Sequence, residues 1–194
     1  MSQPDRSQIS ERAERKARRG LRGWLARRRY RFVRRRVPSL AGARVLDVGG
    51  AEGVFAGILV AAGAAQVTVI EPKDDHASDA AALRTDPRIR VVHDDILARF
   101  DLLADADVLT ALHCIHQLGP EVHDLFRAIG ASPIRAVVLQ GSISHQAWVE
   151  PEHLLELWGP VVGLPDGMLA LLERHGFRAR LHPHRRYPVV VGVR

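Results

Sequence analysis

Short apolar runs alternate with longer amphipathic or polar stretches over residues 40–194 of this chain. Seven of these runs are predicted strands, and most of them are rich in valine, isoleucine and leucine, which is typical of strands buried within a sheet. They cover residues 45–48, 67–70, 89–92, 106–111, 134–139, 177–181 and 187–193. Helix-forming stretches with recognisable end signals lie between them, at residues 54–62, 75–83, 120–130, 151–158 and 165–175. The alternation predicts an α/β fold, and the short connection around Pro183 predicts that the last two strands are antiparallel.

A glycine-rich turn joins the first predicted strand to the first helix. The turn contains Gly49, Gly50, Ala51 and Gly53 and is preceded by Asp47. Glycine lets the backbone turn tightly and approach a ligand where a Cβ atom would clash, so we expect a cofactor at the end of this strand. A dinucleotide fingerprint ending at Gly53 would need glycine at position 48, where the chain has valine, and this disfavours a nucleotide-dependent oxidoreductase. The turn could also do no more than pack the helix on the strand.

The next predicted strand ends in a second acid, Glu71. Together with the first turn it resembles the class I S-adenosylmethionine-dependent methyltransferases. Their first motif reads acid-x-Gly-x-Gly-x-Gly, and their second strand ends in an acid that holds the ribose hydroxyls of the cofactor. Ala51 stands in place of the middle glycine, which the turn tolerates if the φ angle there is negative. The resemblance covers residues 40–194 and implies a three-layer sandwich with a seven-stranded, mostly parallel sheet and an antiparallel C-terminal hairpin.

The resemblance also implies a site for S-adenosyl-L-methionine. Its residues would be Asp47, Gly49, Gly50, Ala51, Gly53, Glu71, Asp94 and Asp95. In the family an acid after the third strand contacts the adenine amino group, a position that Asp95 matches best and Asp94 second. Either acid could instead cap the helix that follows.

The segment after the fourth predicted strand bears on the methyl acceptor. It lacks the Asn-Pro-Pro-Tyr type of sequence and the Pro-Cys pair of nucleic-acid methyltransferases, and it is similar to the leucine-histidine stretch of many small-molecule enzymes. We expect an O or N atom of a small molecule to be methylated, with His113 or His116 as a candidate base because neutral imidazole accepts protons near pH 7. Both histidines could instead only bond the backbone, with catalysis by positioning. We interpret Cys114 as buried and inert, and no second ligand cluster supports a metal site.

Positive charge is concentrated at the start of the chain. Residues 1–36 contain fourteen basic and three acidic residues, whereas residues 37–194 contain fourteen basic and nineteen acidic ones. We predict a basic arm over residues 1–39, helical or partly disordered, followed by a methyltransferase-like domain over residues 40–194. Residues 12–36 could bind RNA or an anionic membrane surface, or they could pack on the domain. An RNA-directed methyltransferase, or a nucleic-acid-binding protein without catalysis, is the alternative function.

Compartment signals are few. The chain has one cysteine, no apolar run long enough to cross a bilayer and no secretory signal pattern at its N-terminus. A single thiol fits a reducing environment. The sequence therefore predicts a cytoplasmic protein.

Overall fold

The computed structural model describes residues 40–51, 53–74, 86–112, 114–140, 165–182 and 189–194. Within these ranges seven strands form one sheet. The strands are β1 Arg44–Val48, β2 Gln66–Ile70, β3 Ile89–Val92, β4 Val108–Leu112, β5 Ala136–Gln140, β6 Arg178–His182 and β7 Val189–Val193. Their order across the sheet is β3-β2-β1-β4-β5-β7-β6. β1 to β5 pair in parallel, and β7 is antiparallel to both β5 and β6. The predicted mostly parallel sheet with an antiparallel end is confirmed.

Three α-helices lie in the described ranges: α1 Val54–Ala61, α2 Val122–Ala131 and α3 Pro165–Arg174. Four short 3-10 helices cover Ile96–Ala98, Phe100–Asp105, Ile115–Gln117 and Gly119–Glu121. The helix predicted to begin at Pro120 therefore starts as a 3-10 turn and becomes α-helical at Val122. None of the helices in the described ranges is long and apolar enough to cross a membrane.

The sheet separates two apolar clusters, because successive side chains of a strand point to opposite faces. Val45 of β1 and Val138 of β5 belong to the face that packs on α1. Leu46 of β1 and Leu139 of β5 belong to the face that packs on α2 and α3. Helices thus cover both sides of the sheet, and the predicted three-layer sandwich is confirmed.

Several predicted boundaries differ from the observed ones. β4 and β5 each begin two residues later than expected, whereas residues 187–188, where β7 was expected to begin, lie outside the described residues. The apolar runs continue beyond the strands because neighbouring residues such as Ala106 and Ile134 are also buried. The basic arm, the helices predicted at 75–83 and 151–158, and Pro188 lie outside the described residues.

Candidate functional site

The acidic side chain of Asp47 is buried beneath the glycine-rich turn. It is 2% exposed and lies in register with Val69 of β2 and Thr110 of β4. The Thr110 hydroxyl donates a 2.6 Å hydrogen bond to Asp47 Oδ1. The neighbouring strand therefore fixes this carboxyl group at the place where β1 runs into the turn.

The turn itself has an unusual backbone. Gly49, Ala51 and Gly53 have φ angles of +63°, +48° and +71°. A Cβ atom on Gly49 would lie 2.6 Å from the Cβ of Cys114, and one on Gly50 would lie 2.7 Å from Val69 Cγ1. Positions 49 and 50 therefore need glycine on steric grounds, and position 49 needs it for its backbone conformation as well. The condition under which alanine was expected at position 51, a negative φ, is not met.

Glu71 connects the turn to the end of β2. Its side chain is 4% exposed. The backbone N–H of Ala51 donates to Glu71 Oε2 over 2.9 Å, and the N–H of Lys73 donates to Oε1 over 3.2 Å. A carboxylate can accept several hydrogen bonds at once, and the one from Ala51 joins Glu71 to the turn. This contact explains how a left-handed alanine is held in the turn.

The two acids after β3 already have local hydrogen bonds. Asp95 caps the Ile96–Ala98 helix by accepting from the N–H of Leu97 over 2.9 Å. Asp94 Oδ1 accepts from the N–H of Asp95, and Oδ2 lies 3.6 Å from the Arg99 guanidinium. The capping role that the sequence left open for Asp95 is therefore present. It engages Oδ1, and a contact of either acid with adenine stays a prediction.

The chain leaving β4 is fixed against β1 by Cys114. This thiol donates to the carbonyl of Val48 over 3.1 Å. Burial raises its pKa, and the Asp47 and Glu71 carboxyl groups raise it further. The thiol is therefore protonated near neutral pH, in agreement with the predicted buried and unreactive cysteine.

The structure leaves the two candidate bases undecided. His113 lies outside the described residues, and only the backbone of His116 is described, within the Ile115–Gln117 helix. In the described part of the chain, no group of three or more His, Cys, Asp or Glu residues could hold a metal ion. The base therefore stays a prediction.

Two polar residues that the structure buries in the sheet were not singled out from the sequence. Thr110 lies within β4, where its hydroxyl meets Asp47. Gln140 ends β5 and is 4% exposed. A polar residue inside an otherwise apolar strand is the signal that could have drawn attention to Thr110, because buried polar groups need partners, whereas Gln140 directly follows the predicted strand 134–139.

Comparison with known proteins gives a match in structure only. No protein-family model matches the chain, and no curated protein matches its sequence. The fold is similar to that of an S-adenosylmethionine-dependent methyltransferase from Mesorhizobium loti, with a TM-score of 0.65 and 17% identity over 85% of this chain and 97% of that one.

Two further structures are methyltransferases of larger size. An O-methyltransferase family protein from Burkholderia thailandensis gives a TM-score of 0.66 at 14% identity, covering 93% of this chain and 59% of that one. An O-methyltransferase from neocarzinostatin biosynthesis, in complex with S-adenosylmethionine and 2-hydroxy-5-methyl naphthoic acid, gives 0.59 at 21% identity, covering 81% and 50%. The chain thus has the class I S-adenosylmethionine-dependent methyltransferase fold that its first motif predicted.

Proposed function

We propose that this protein is an S-adenosylmethionine-dependent methyltransferase that acts on an O or N atom of a small molecule. The observation that carries the proposal is the hydrogen bond from the Ala51 N–H to Glu71 Oε2. It joins the acid at the end of β2 to the glycine turn at the end of β1, in a fold similar to that of a solved S-adenosylmethionine-dependent methyltransferase. The bound ligands of the neocarzinostatin enzyme support both the cofactor and the class of acceptor.

The residues present fit this cofactor. Gly49 and Gly50 let the turn pack closely on Cys114 and Val69, and their half-buried backbone would lie next to the cofactor. Glu71, which is hydrogen-bonded to the turn at Ala51, would accept hydrogen bonds from the ribose hydroxyls, since a carboxylate can accept several hydrogen bonds at once. Asp47 supports the turn from below, and Asp94 or Asp95 would contact the adenine.

Methyl transfer from a sulfonium group requires little from the protein beyond the positioning of the two reactants. The bound cofactor would supply an electrophilic sulfonium methyl group. An acceptor held in line with that methyl group needs a free lone pair, and His113 or His116 would remove the acceptor's proton where it is not lost to water. Cys114 takes no part as a nucleophile because its thiol is buried and its pKa is raised.

Cofactor binding is tested by calorimetry with S-adenosylhomocysteine, the demethylated product. A hydrogen bond to a charged group is worth about 1.5 to 3 kcal/mol, so Glu71→Ala should weaken binding by roughly 10- to 100-fold. Glu173→Ala is the matched control, because Glu173 is exposed on α3 and far from the turn along the chain. Equal affinity of the wild type and a folded Glu71→Ala protein would remove the ribose assignment.

Turnover is tested with tritiated S-adenosylmethionine offered separately to small-metabolite, RNA and lipid fractions. Label in the small-metabolite fraction alone is the expected result. Label in RNA would instead favour the alternative in which the basic arm, residues 12–36, brings a nucleic acid to the site. Binding of the cofactor without transfer to any fraction would favour a protein that has the fold without the activity.

A further inference from the structure

The amide side chain of Gln140 lies buried at the carboxyl end of β5. It is 4% exposed, and its Oε1 has no hydrogen-bond partner in the part of the chain that the structure describes. Leaving an amide oxygen out of water without a partner destabilises a folded protein. Such a group is uncommon in native structures and calls for a specific explanation.

The position of Gln140 in the sheet relates it to the proposed site. Side chains alternate along β5, so Gln140 faces the same side of the sheet as Val138, the side that also bears Asp47 and Thr110. In register it lies opposite Leu112, the last residue of β4. It therefore lies beside the point where the chain leaves β4 toward the candidate bases.

The distance from the turn separates Gln140 from the cofactor contacts. The register of β1 with β4, continued one residue past Val48 and Ala111, brings Gly49 level with Leu112, and Gln140 lies one strand further on. Neighbouring strands are about 4.8 Å apart, so the backbone of Gln140 is roughly 10 Å from the turn. At that distance from the turn, Gln140 Oε1 is better placed to bind the methyl acceptor than the cofactor.

We propose that Gln140 is an acceptor-binding residue, whose buried Oε1 accepts a hydrogen bond from a hydroxyl or N–H group of the small molecule that is methylated. The inference rests on the proposed function. It narrows the acceptor to compounds that carry such a donor group near the reacting atom. Without an acceptor, the unpartnered Oε1 destabilises the protein. The bound acceptor supplies the missing hydrogen bond and removes this destabilisation.

The test compares Gln140→Met with Leu139→Met. Methionine keeps the length and approximate volume of glutamine but has no amide, and Leu139 is the neighbouring β5 residue that faces the opposite cluster. Without any ligand, removal of the unmatched oxygen should raise the Tm of Gln140→Met by about 2 to 8 °C, whereas Leu139→Met should not raise it.

The same two variants are then given tritiated S-adenosylmethionine and a small-metabolite extract. Gln140→Met should lose at least about 10-fold of the label transferred by the wild type, which corresponds to the loss of one buried hydrogen bond. Its affinity for S-adenosylhomocysteine should be unchanged, since Gln140 is not among the cofactor contacts. Leu139→Met should retain both properties.

The outcomes separate the two proposals. A raised Tm with lost transfer and intact cofactor affinity supports the role of Gln140. An unchanged or lowered Tm would mean that Gln140 Oε1 already has a partner within the protein. Undiminished methyl transfer would mean that the acceptor does not bind this oxygen. Either result overturns the inference. If the wild-type protein binds no cofactor, the proposed function fails first, and the inference fails with it.

Discussion

Replacing Ala51 by glycine should stabilise the protein, although replacing an alanine by glycine normally makes a folded protein less stable. Ala51 has a φ angle of +48°. Its Cβ atom crowds the following carbonyl oxygen in that conformation, which costs an L-residue about 1 to 2 kcal/mol. Glycine has no such cost and keeps the N–H that donates to Glu71 Oε2. The substitution therefore removes strain without removing the observed hydrogen bond.

Glycine also loosens the unfolded chain, and this opposes the gain. The extra freedom of a glycine costs about 0.4 to 1 kcal/mol of stability. The two effects leave a net stabilisation of about 0 to 1.6 kcal/mol, with a centre near 0.8. For a chain of this size the central value corresponds to a rise in Tm of about 2 to 3 °C.

Ala170→Gly is the matched control for this prediction. Ala170 is exposed in the interior of α3, where glycine costs about 0.8 to 1 kcal/mol. Urea unfolding of the two variants should therefore give shifts of opposite sign, separated by about 1 to 2.5 kcal/mol. If Ala51→Gly loses as much stability as Ala170→Gly, the left-handed alanine is not strained and the reasoning is wrong.

Two further predictions concern the buried acid and a histidine near the C-terminus. Thr110→Val should lower the free energy of unfolding by about 1.5 to 3 kcal/mol, because it removes the hydroxyl that donates to Asp47. Thr110→Ser keeps the hydroxyl and should lose only about 0.8 kcal/mol for one methyl group. Equal losses in the two variants would show that the hydrogen bond contributes nothing to stability. The pKa of His175 lies below its usual 6.5, because burial and then the positive charges of Arg174 and Arg127 disfavour the protonated ring. The unfolded chain therefore takes up a proton more readily than the folded one as the pH falls from about 6.5. Urea unfolding over this range should show the wild type losing stability relative to His175→Gln, and parallel pH profiles would contradict the assignment.

The sheet and its glycine-rich turn were predictable because their signals are local. All strands except β6, Arg178–His182, are runs of mostly apolar residues, and a strand buried on both faces leaves such a run in the sequence. The turn has a similarly local origin, since positive φ angles at Gly49 and Gly53 favour glycine whatever the rest of the chain does. The antiparallel end of the sheet followed from one short connection.

The remaining features depend on contacts between residues distant in sequence. Thr110 meets Asp47 across 63 positions, and Glu71 reaches the backbone of Ala51 across 20. Hydrophobic periodicity and local motifs do not predict contacts between residues that are so far apart in the sequence. The same holds for Gln140, whose burial becomes visible only when β4 and β7 are placed on either side of it. The sequence therefore singled out the acid after β2, Glu71, for a cofactor role that stays a prediction, but it gave no sign that this acid supports the turn.

The contact between Ala51 and Glu71 connects the stability of the turn to its proposed binding function. The bond from the Ala51 N–H helps to offset the cost of the left-handed alanine, so a change of Glu71 should weaken the turn as well as a ribose contact. The two effects separate in a double-mutant cycle of Ala51→Gly and Glu71→Ala. If Glu71 acts on the cofactor only through the turn, glycine at position 51 should restore most of the lost affinity, because the turn then needs less support. If Glu71 contacts the ribose directly, the losses should be nearly the same in either background. We expect the second result, because Glu71 directly follows β2, where the resemblance to the methyltransferases places the acid that holds the ribose hydroxyls.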